Sequence, residues 1–157
     1  MNQSRTQKSA EEIQNWNMVF PNQANPNGNM FGGDLLAIMD TTAAMAAKRF
    51  SQLDVSTVAV EAVHFASPLK VGDNIKTTAK VVAVGNTSML VKTQAFRDIG
   101  QNGLLKCVSA YFSLVAFDAS GKPALVPSLI LQEMDKKANN EALLVKHFAR
   151  KRNEALT

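Results

Sequence analysis

The sequence predicts an α+β domain in which a curved antiparallel β-sheet wraps one long buried helix. Three observations carry this reading. At 157 residues the chain is long enough for one domain with a sizeable core and too short for two ordinary ones. From Leu35 to Ala47 every residue is apolar or small except Asp40, Thr41 and Thr42, and apolar residues occur all round the helical wheel, as in a helix buried on every side. Four runs rich in β-branched residues then follow, separated by short turn sequences, which is the pattern of a meander.

Residues 1–12 contain no apolar run and read as a flexible N-terminus without a secretory signal. Ile13 to Phe20, with apolar residues spaced by two or three before Pro21, predicts a short first strand, with Trp16 and Phe20 in core or interface packing. Asn25-Pro26-Asn27-Gly28-Asn29 is turn chemistry. Gly32-Gly33 then make a tight turn or let the backbone approach another group closely before the helix begins. Asp34 suits the positive end of that helix, and Lys48 and Arg49 suit its C-terminus.

The four strands are expected over Val55–Phe65, Asn74–Val84, Ser88–Arg97 and Leu104–Phe117, with Gly85-Asn86-Thr87 as a tight connection. Alternation in the first run puts Thr57, Ala59, Glu61, Val63 and Phe65 on one face, and Val58, Val60, Ala62 and His64 on the other. Because the strands are apolar on both faces, the outer face and edges of the sheet are expected to meet copies of the same chain. Pro127-Ser128 opens a helical tail over 128–157, with a break expected near Ala138–Asn140, so the domain proper spans 13–127.

Charge is distributed unevenly. Residues 1–135 hold 11 basic and 11 acidic residues, whereas 136–157 hold 6 and 2, so the net charge of +4 belongs to the tail. With no interleaved aromatic beyond Phe148 and a neutral body, that tail reads as a solvated helix face rather than a nucleic-acid surface. No run approaches the roughly 20 apolar residues of a membrane span, and a cytoplasmic protein is expected. The single cysteine, Cys107, excludes an internal disulfide and is expected in the core. His64 and His147 lie far apart with no cysteine pair beside them, so there is no metal-ligand spacing, and no G-x-S-x-G elbow is present. His64 reads as a hydrogen-bonded strand or interface residue ahead of an acid/base role.

Asp40 is the residue the chemistry turns on. A carboxylate inside a buried helix must be paired, be held neutral or have a task, because taking it out of water alone costs several kcal/mol. The residues alone leave pairing and catalysis open. The helix start ahead of it presents unpaired N–H groups, which suit a polarised carbonyl oxygen or a phosphate.

Four segments, Asn25–Asp40, Thr57–Phe65, Pro68–Asp73 and Val84–Ser88, resemble in order and spacing the hotdog-fold acyl-CoA thioesterases, also called acyl-CoA hydrolases. The resemblance implies the hotdog fold and hydrolysis of acyl-CoA to coenzyme A and a carboxylic acid. Asp40 would then be the base or nucleophile, Asn25 would reach the site from the facing subunit, and the Gly33 and Gly32 backbone would face the thioester oxygen. It further implies that Gly85, Asn86, Thr87 and Ser88 lie near the pantetheine arm and phosphates of coenzyme A. Many family members carry a basic residue where this chain has Asn86, and the basic tail is the other source of that charge. Thr57 and Glu61 either line the pocket or pair across strands. No metal or redox cofactor is implied, coenzyme A being part of substrate and product. The expected partners are acyl-CoA and other copies of the chain, as a dimer or a hexamer of three dimers, with neither nucleic acid nor membrane.

Two other readings of the same fold are an acyl-CoA hydratase and a non-catalytic acyl-CoA sensor. The hydratase pattern has a histidine five residues after the aspartate, where this chain has Met45. The sensor reading dispenses with the carboxylate, which is present.

Overall fold

Five strands form one antiparallel sheet in the structure, a computed structural model that describes residues 4–156. After a two-residue strand β1 (Gln7–Lys8) come β2 (Ile13–Met18), helix α1 (Gly32–Ser51), β3 (Asp54–Phe65), β4 (Asn74–Val84), β5 (Ser88–Asp98) and β6 (Leu104–Phe117). A second two-residue strand, β7 (Ser128–Leu129), precedes the C-terminal helix α2 (Lys136–Leu156). The main sheet runs in the order β2-β4-β5-β6-β3, which leaves β2 and β3 as its edges. Short turns let β4, β5 and β6 pair as consecutive hairpins, while β3 closes on the far side of β6.

Helix α1 lies across one face, which we call the inner face. Leu35, Met39, Ala43, Ala46, Ala47 and Phe50 pack there with Ile75, Val91, Phe112 and Leu114 to form the main core. Cys107 is buried in that core, and burial pushes its thiol pKa up. Contrary to the expectation from its composition, the helix is not buried on every side. Gly33, Ala37, Thr41 and Met45 form an exposed stripe flanked by half-buried Asp40 and Ala44. Gly, Ala and Thr are small enough to be read as core or as a close-packing surface, and the wheel alone does not separate the two.

On the outer face, α2 packs Ala142, with Ala138 and Val145, against Val82, Ala83, Leu90 and Tyr111. Part of the face expected to meet other copies is therefore covered by this chain's own tail. The tail also departs from expectation in running unbroken through Ala138–Asn140, after a short strand and one 3₁₀ turn. Asn139 does not compete for helix backbone, because its amide donates to the Val82 carbonyl at 2.7 Å and ties the helix to the sheet.

The N-terminal segment read as flexible is held in two places among its described residues. β1 pairs in parallel with β7, and the Arg5 guanidinium donates to the carbonyls of Gly85, Val126 and Pro127. Residues 1–3 lie outside the described residues. Trp16 and Phe20 are exposed, with Lys76 over the Trp16 ring. No helix among the described residues is long and apolar enough to cross a membrane.

Candidate active site

Asp40 sits in the third turn of α1, beside the exposed stripe, and its carboxylate meets the edge strand β3. The Thr57 hydroxyl donates to Asp40 Oδ1 at 2.6 Å. No lysine or arginine pairs with Asp40 among the described residues, so of the outcomes open to a helix carboxylate the structure gives a hydroxyl partner rather than a salt bridge. Thr57 fixes one carboxylate oxygen, and Asp40 as a whole stays half-buried beside the open stripe.

Thr57 reaches Asp40 because of a bulge that simple alternation misses. Thr57 stands opposite Leu114, an inner-face residue, but the register slips at Val58, and Ala59 then stands opposite Ser113 and Glu61 opposite Tyr111, both outer-face residues. Directly paired residues point to the same side of an antiparallel sheet. The extra residue thus places Thr57 and Glu61 on opposite faces, where the strand period had put them together. A second slip between Glu61 and His64 contains Ala62 at φ 51°, in the left-handed region that a non-glycine residue seldom adopts. His64 lies exposed opposite Ser109, away from Asp40.

Asn25 is built into the loop before α1. Its side-chain oxygen accepts from the Asn27 and Asn29 N–H groups at 3.0 and 3.2 Å, and its own N–H donates to the Asn29 carbonyl at 2.7 Å. Two backbone donors on the oxygen fix the amide's orientation and turn its NH₂ outward as a donor. Helix α1 begins without a side-chain cap, and the N–H groups of Gly32 and Gly33 have no acceptor among the described residues. Both glycines let aromatic rings approach the helix start: a Cβ on Gly33 would stand 2.5 Å from the exposed Phe31 ring, and one on Gly32 would stand 3.2 Å from the exposed Phe65 ring, so a larger residue at either position would push a ring aside.

The remaining predicted residues lie elsewhere. Gly85 and Ser88, at the β4–β5 turn, and Glu61 line a cavity of about 580 Å³ on the outer face beneath α2. Glu61 is held there by Arg152, whose two terminal nitrogens donate to its two oxygens at 3.1 and 2.7 Å. Asn86 is exposed and, like Thr87, stands outside that cavity. Their carbonyls accept from Val126 and Ala116. Gly32 borders a smaller, mostly apolar cavity of about 230 Å³ at the helix start, with Met30, Leu35, Phe65 and Leu69. Lys146, Arg150 and Arg152 belong to the basic tail that the sequence offers either as a solvated face or as a source of charge for coenzyme A, and the first two line the larger cavity.

Residues 27–103 match the thioesterase superfamily. The chain is 38% identical over 116 residues to the acyl-CoA thioester hydrolase YciA of Escherichia coli, covering 70% of this chain and 86% of that one. The protein belongs to the acyl-CoA thioester hydrolases. An acyl-CoA hydrolase of Staphylococcus aureus, solved with butyryl coenzyme A and coenzyme A, superposes on this hydrolase with a TM-score of 0.89 and 29% identity, over 95% of this chain and 93% of that one. Variants of that bacterial enzyme have been solved in which an asparagine, an aspartate and a threonine are each replaced by alanine, and the three are spaced as Asn25, Asp40 and Thr57 are here. An apo-hexameric acyl-CoA thioesterase gives a TM-score of 0.88 at 29% identity, over 94% of this chain and 97% of that one.

Proposed function

We propose that this hydrolase cleaves acyl-CoA thioesters with Asp40 as the acting carboxylate, Thr57 orienting it, and Asn25 and the Gly33 N–H supplied by a facing subunit. The observation that carries the reading is Asp40 held by Thr57 beside the open stripe of α1. Asp40 takes a proton from water as the water oxygen bonds to the thioester carbon. The oxyanion that forms is met by backbone and amide N–H groups, each donor being worth about 3 kcal/mol. The C–S bond then breaks and the proton passes to the departing sulfur. Direct attack by Asp40 on the carbonyl is the other route open to this geometry, and single turnover in ¹⁸O-water separates them: label found in Asp40 means attack by the carboxylate itself.

The spacing along α1 supports a second subunit. Gly33 and Asp40 are seven residues apart on one face of α1, roughly 10 Å along its axis. One carbonyl must lie about 3 Å from both its attacking group and its oxyanion donors. The helix-start donors of one copy therefore serve the Asp40 of another. The small-residue stripe of α1 and the unpaired edge of β3, with exposed Val58 and Val60, give such a copy a surface to cover. The hexameric relative supports self-association, and three dimers are the arrangement we favour.

The deciding experiment is thiol release from a panel of short to long, branched and aromatic acyl-CoAs. Asp40→Asn should be folded and slower by about 10³-fold or more. Asp40→Asn and Asn25→Ala subunits refolded together should recover about a quarter of wild-type activity if each site draws on both copies. No recovery would sink the shared site. Acyl-CoA bound without hydrolysis by the wild type would turn the reading to a sensor.

A further inference from the structure

Strand β3 meets α1 at two places. Thr57 faces inward and holds Asp40, and the first slip then turns the strand so that Glu61 faces outward. The second slip, with left-handed Ala62 inside it, turns the strand back. Glu61 and His64 stand opposite Tyr111 and Ser109, both on the outer side, although an even ladder puts residues three apart on opposite faces. Phe65 therefore stands opposite Val108, a residue of the main core, and its ring lies against Gly32 at the start of α1.

Beside that ring is the cavity of about 230 Å³. Met30, Leu35, Leu69 and Val108 line it and are themselves buried, so its floor is closed and apolar, whereas Phe65 is exposed. No charged residue among those described lines it. Gly32 is part of the same lining, and its N–H, like that of Gly33, has no acceptor among the described residues. A thioester carbonyl held at those N–H groups would direct its carbon chain into this space. An apolar cavity of about 150 Å³ takes up benzene, so one of about 230 Å³ suits an acyl group of up to about eight carbons. A second carboxylate on that group would be buried without a cation, which is costly.

We propose that this cavity is the acyl pocket of the hydrolase, that its substrates are acyl-CoAs with a short, uncharged acyl group, and that Phe65 is the specificity residue closing the pocket to longer chains. This rests on the acyl-CoA hydrolase reading and names the acyl class within it. The two slips of β3 then serve neighbouring sites: Thr57 orients the carboxylate of one, and Phe65 shapes the acyl pocket of the other.

The test is kcat/KM across straight-chain thioesters from acetyl- to palmitoyl-CoA, with succinyl-CoA as a charged probe. In the wild type it should rise about three- to fourfold per methylene up to about eight carbons and fall about tenfold or more by dodecanoyl-CoA. Succinyl-CoA should be slower than butyryl-CoA by about tenfold or more. Phe65→Ala opens one wall and should raise the dodecanoyl-to-octanoyl ratio about tenfold. Val108→Leu adds a methylene to the floor and should lower the octanoyl-to-butyryl ratio about fourfold, which tests the pocket even if Phe65→Ala does not fold. Phe31→Ala removes an exposed ring outside the lining and should scale all chain lengths alike. A flat wild-type profile, unaltered ratios in folded Phe65→Ala or Val108→Leu, or the same ratio change in Phe31→Ala would each overturn the pocket and leave the hydrolase reading standing. Cleavage of no acyl-CoA would refute the activity, and the affinities of S-octyl- and S-dodecyl-coenzyme A for wild type and Phe65→Ala, by calorimetry, would then decide the pocket on the same ratio.

Discussion

The two long helices of this protein are nearly equal in length, 20 residues in α1 and 21 in α2, and are attached to opposite faces of one sheet by different means. Helix α1 buries eight residues, most of them in the main core, whereas α2 buries Ala142 alone. What α2 lacks in apolar burial it replaces with polar ties. Asn139 donates to the Val82 carbonyl, Glu141 accepts from Lys92 and Tyr111, and Arg152 grips Glu61. Burial is non-directional and strong in sum, while half-exposed ion pairs are worth little each. The comparison teaches that the helix bearing the proposed carboxylate is part of the folding unit, and the helix over the outer cavity is held on by contacts that solvent conditions alter.

That contrast is breakable at four points. Met39→Ala, in the fully buried side of α1, should cost 2 to 5 kcal/mol by urea unfolding, whereas Val145→Ala in α2 should cost under about 1 kcal/mol. Comparable losses would mean that α2 is as integral as α1. Thr57→Val keeps the shape and removes the donor to Asp40, so kcat should fall ten- to a hundredfold with KM little changed, and Thr57→Ser should recover most of it. An unchanged kcat would leave Thr57 as packing only.

The third point is pH. The Lys92 ammonium, and then the Tyr111 hydroxyl, hold the Glu141 carboxyl below the usual carboxylate range. A lowered pKa stabilises above the unfolded value, so this contribution is complete above about pH 4.3 and is lost as pH falls through the depressed folded value. Burial, and then the Glu141 carboxylate, push the Tyr111 hydroxyl up. Its contribution is complete below about pH 10 and is lost as pH rises through the raised folded value. The protection factors of α2 amides, with the intrinsic pH dependence of exchange divided out, should therefore be highest between those limits and fall outside them before those of α1. The smallest effect belongs to Arg152→Ala, which removes an ion pair that is buried on the glutamate side only. It should lower α2 protection only slightly, and a loss comparable to that from Met39→Ala would make α2 part of the folding unit.

Much of the architecture was legible in the residues. The four meander strands fall within a residue of the β-branched runs that predict them, since turn glycines and asparagines bound each run sharply. The helix after Gly32-Gly33 and the lone acid in it were equally plain. The side of α1 left open was not, because a stripe of Gly33, Ala37 and Thr41 looks the same whether the core or another surface covers it. Nor was the partition of β3. Alternation assumes an uninterrupted ladder, and no residue type at Val58 announces a bulge. The tail misled for a different reason: Asn139-Asn140 has poor helix propensity, yet tertiary ties to Val82 and the packing of Ala142 outweigh it.

The bulge at Val58 also bears on how such an enzyme diversifies. An ordinary strand deals its residues alternately to two sides, so positions two apart share one environment and are selected together. Here Thr57 and Ala59 answer to different demands, one to the carboxylate and the other to the cavity under the tail. Changes at Ala59 can therefore reshape that cavity while Thr57 and Asp40 stay as they are, because a single added residue has separated the two environments.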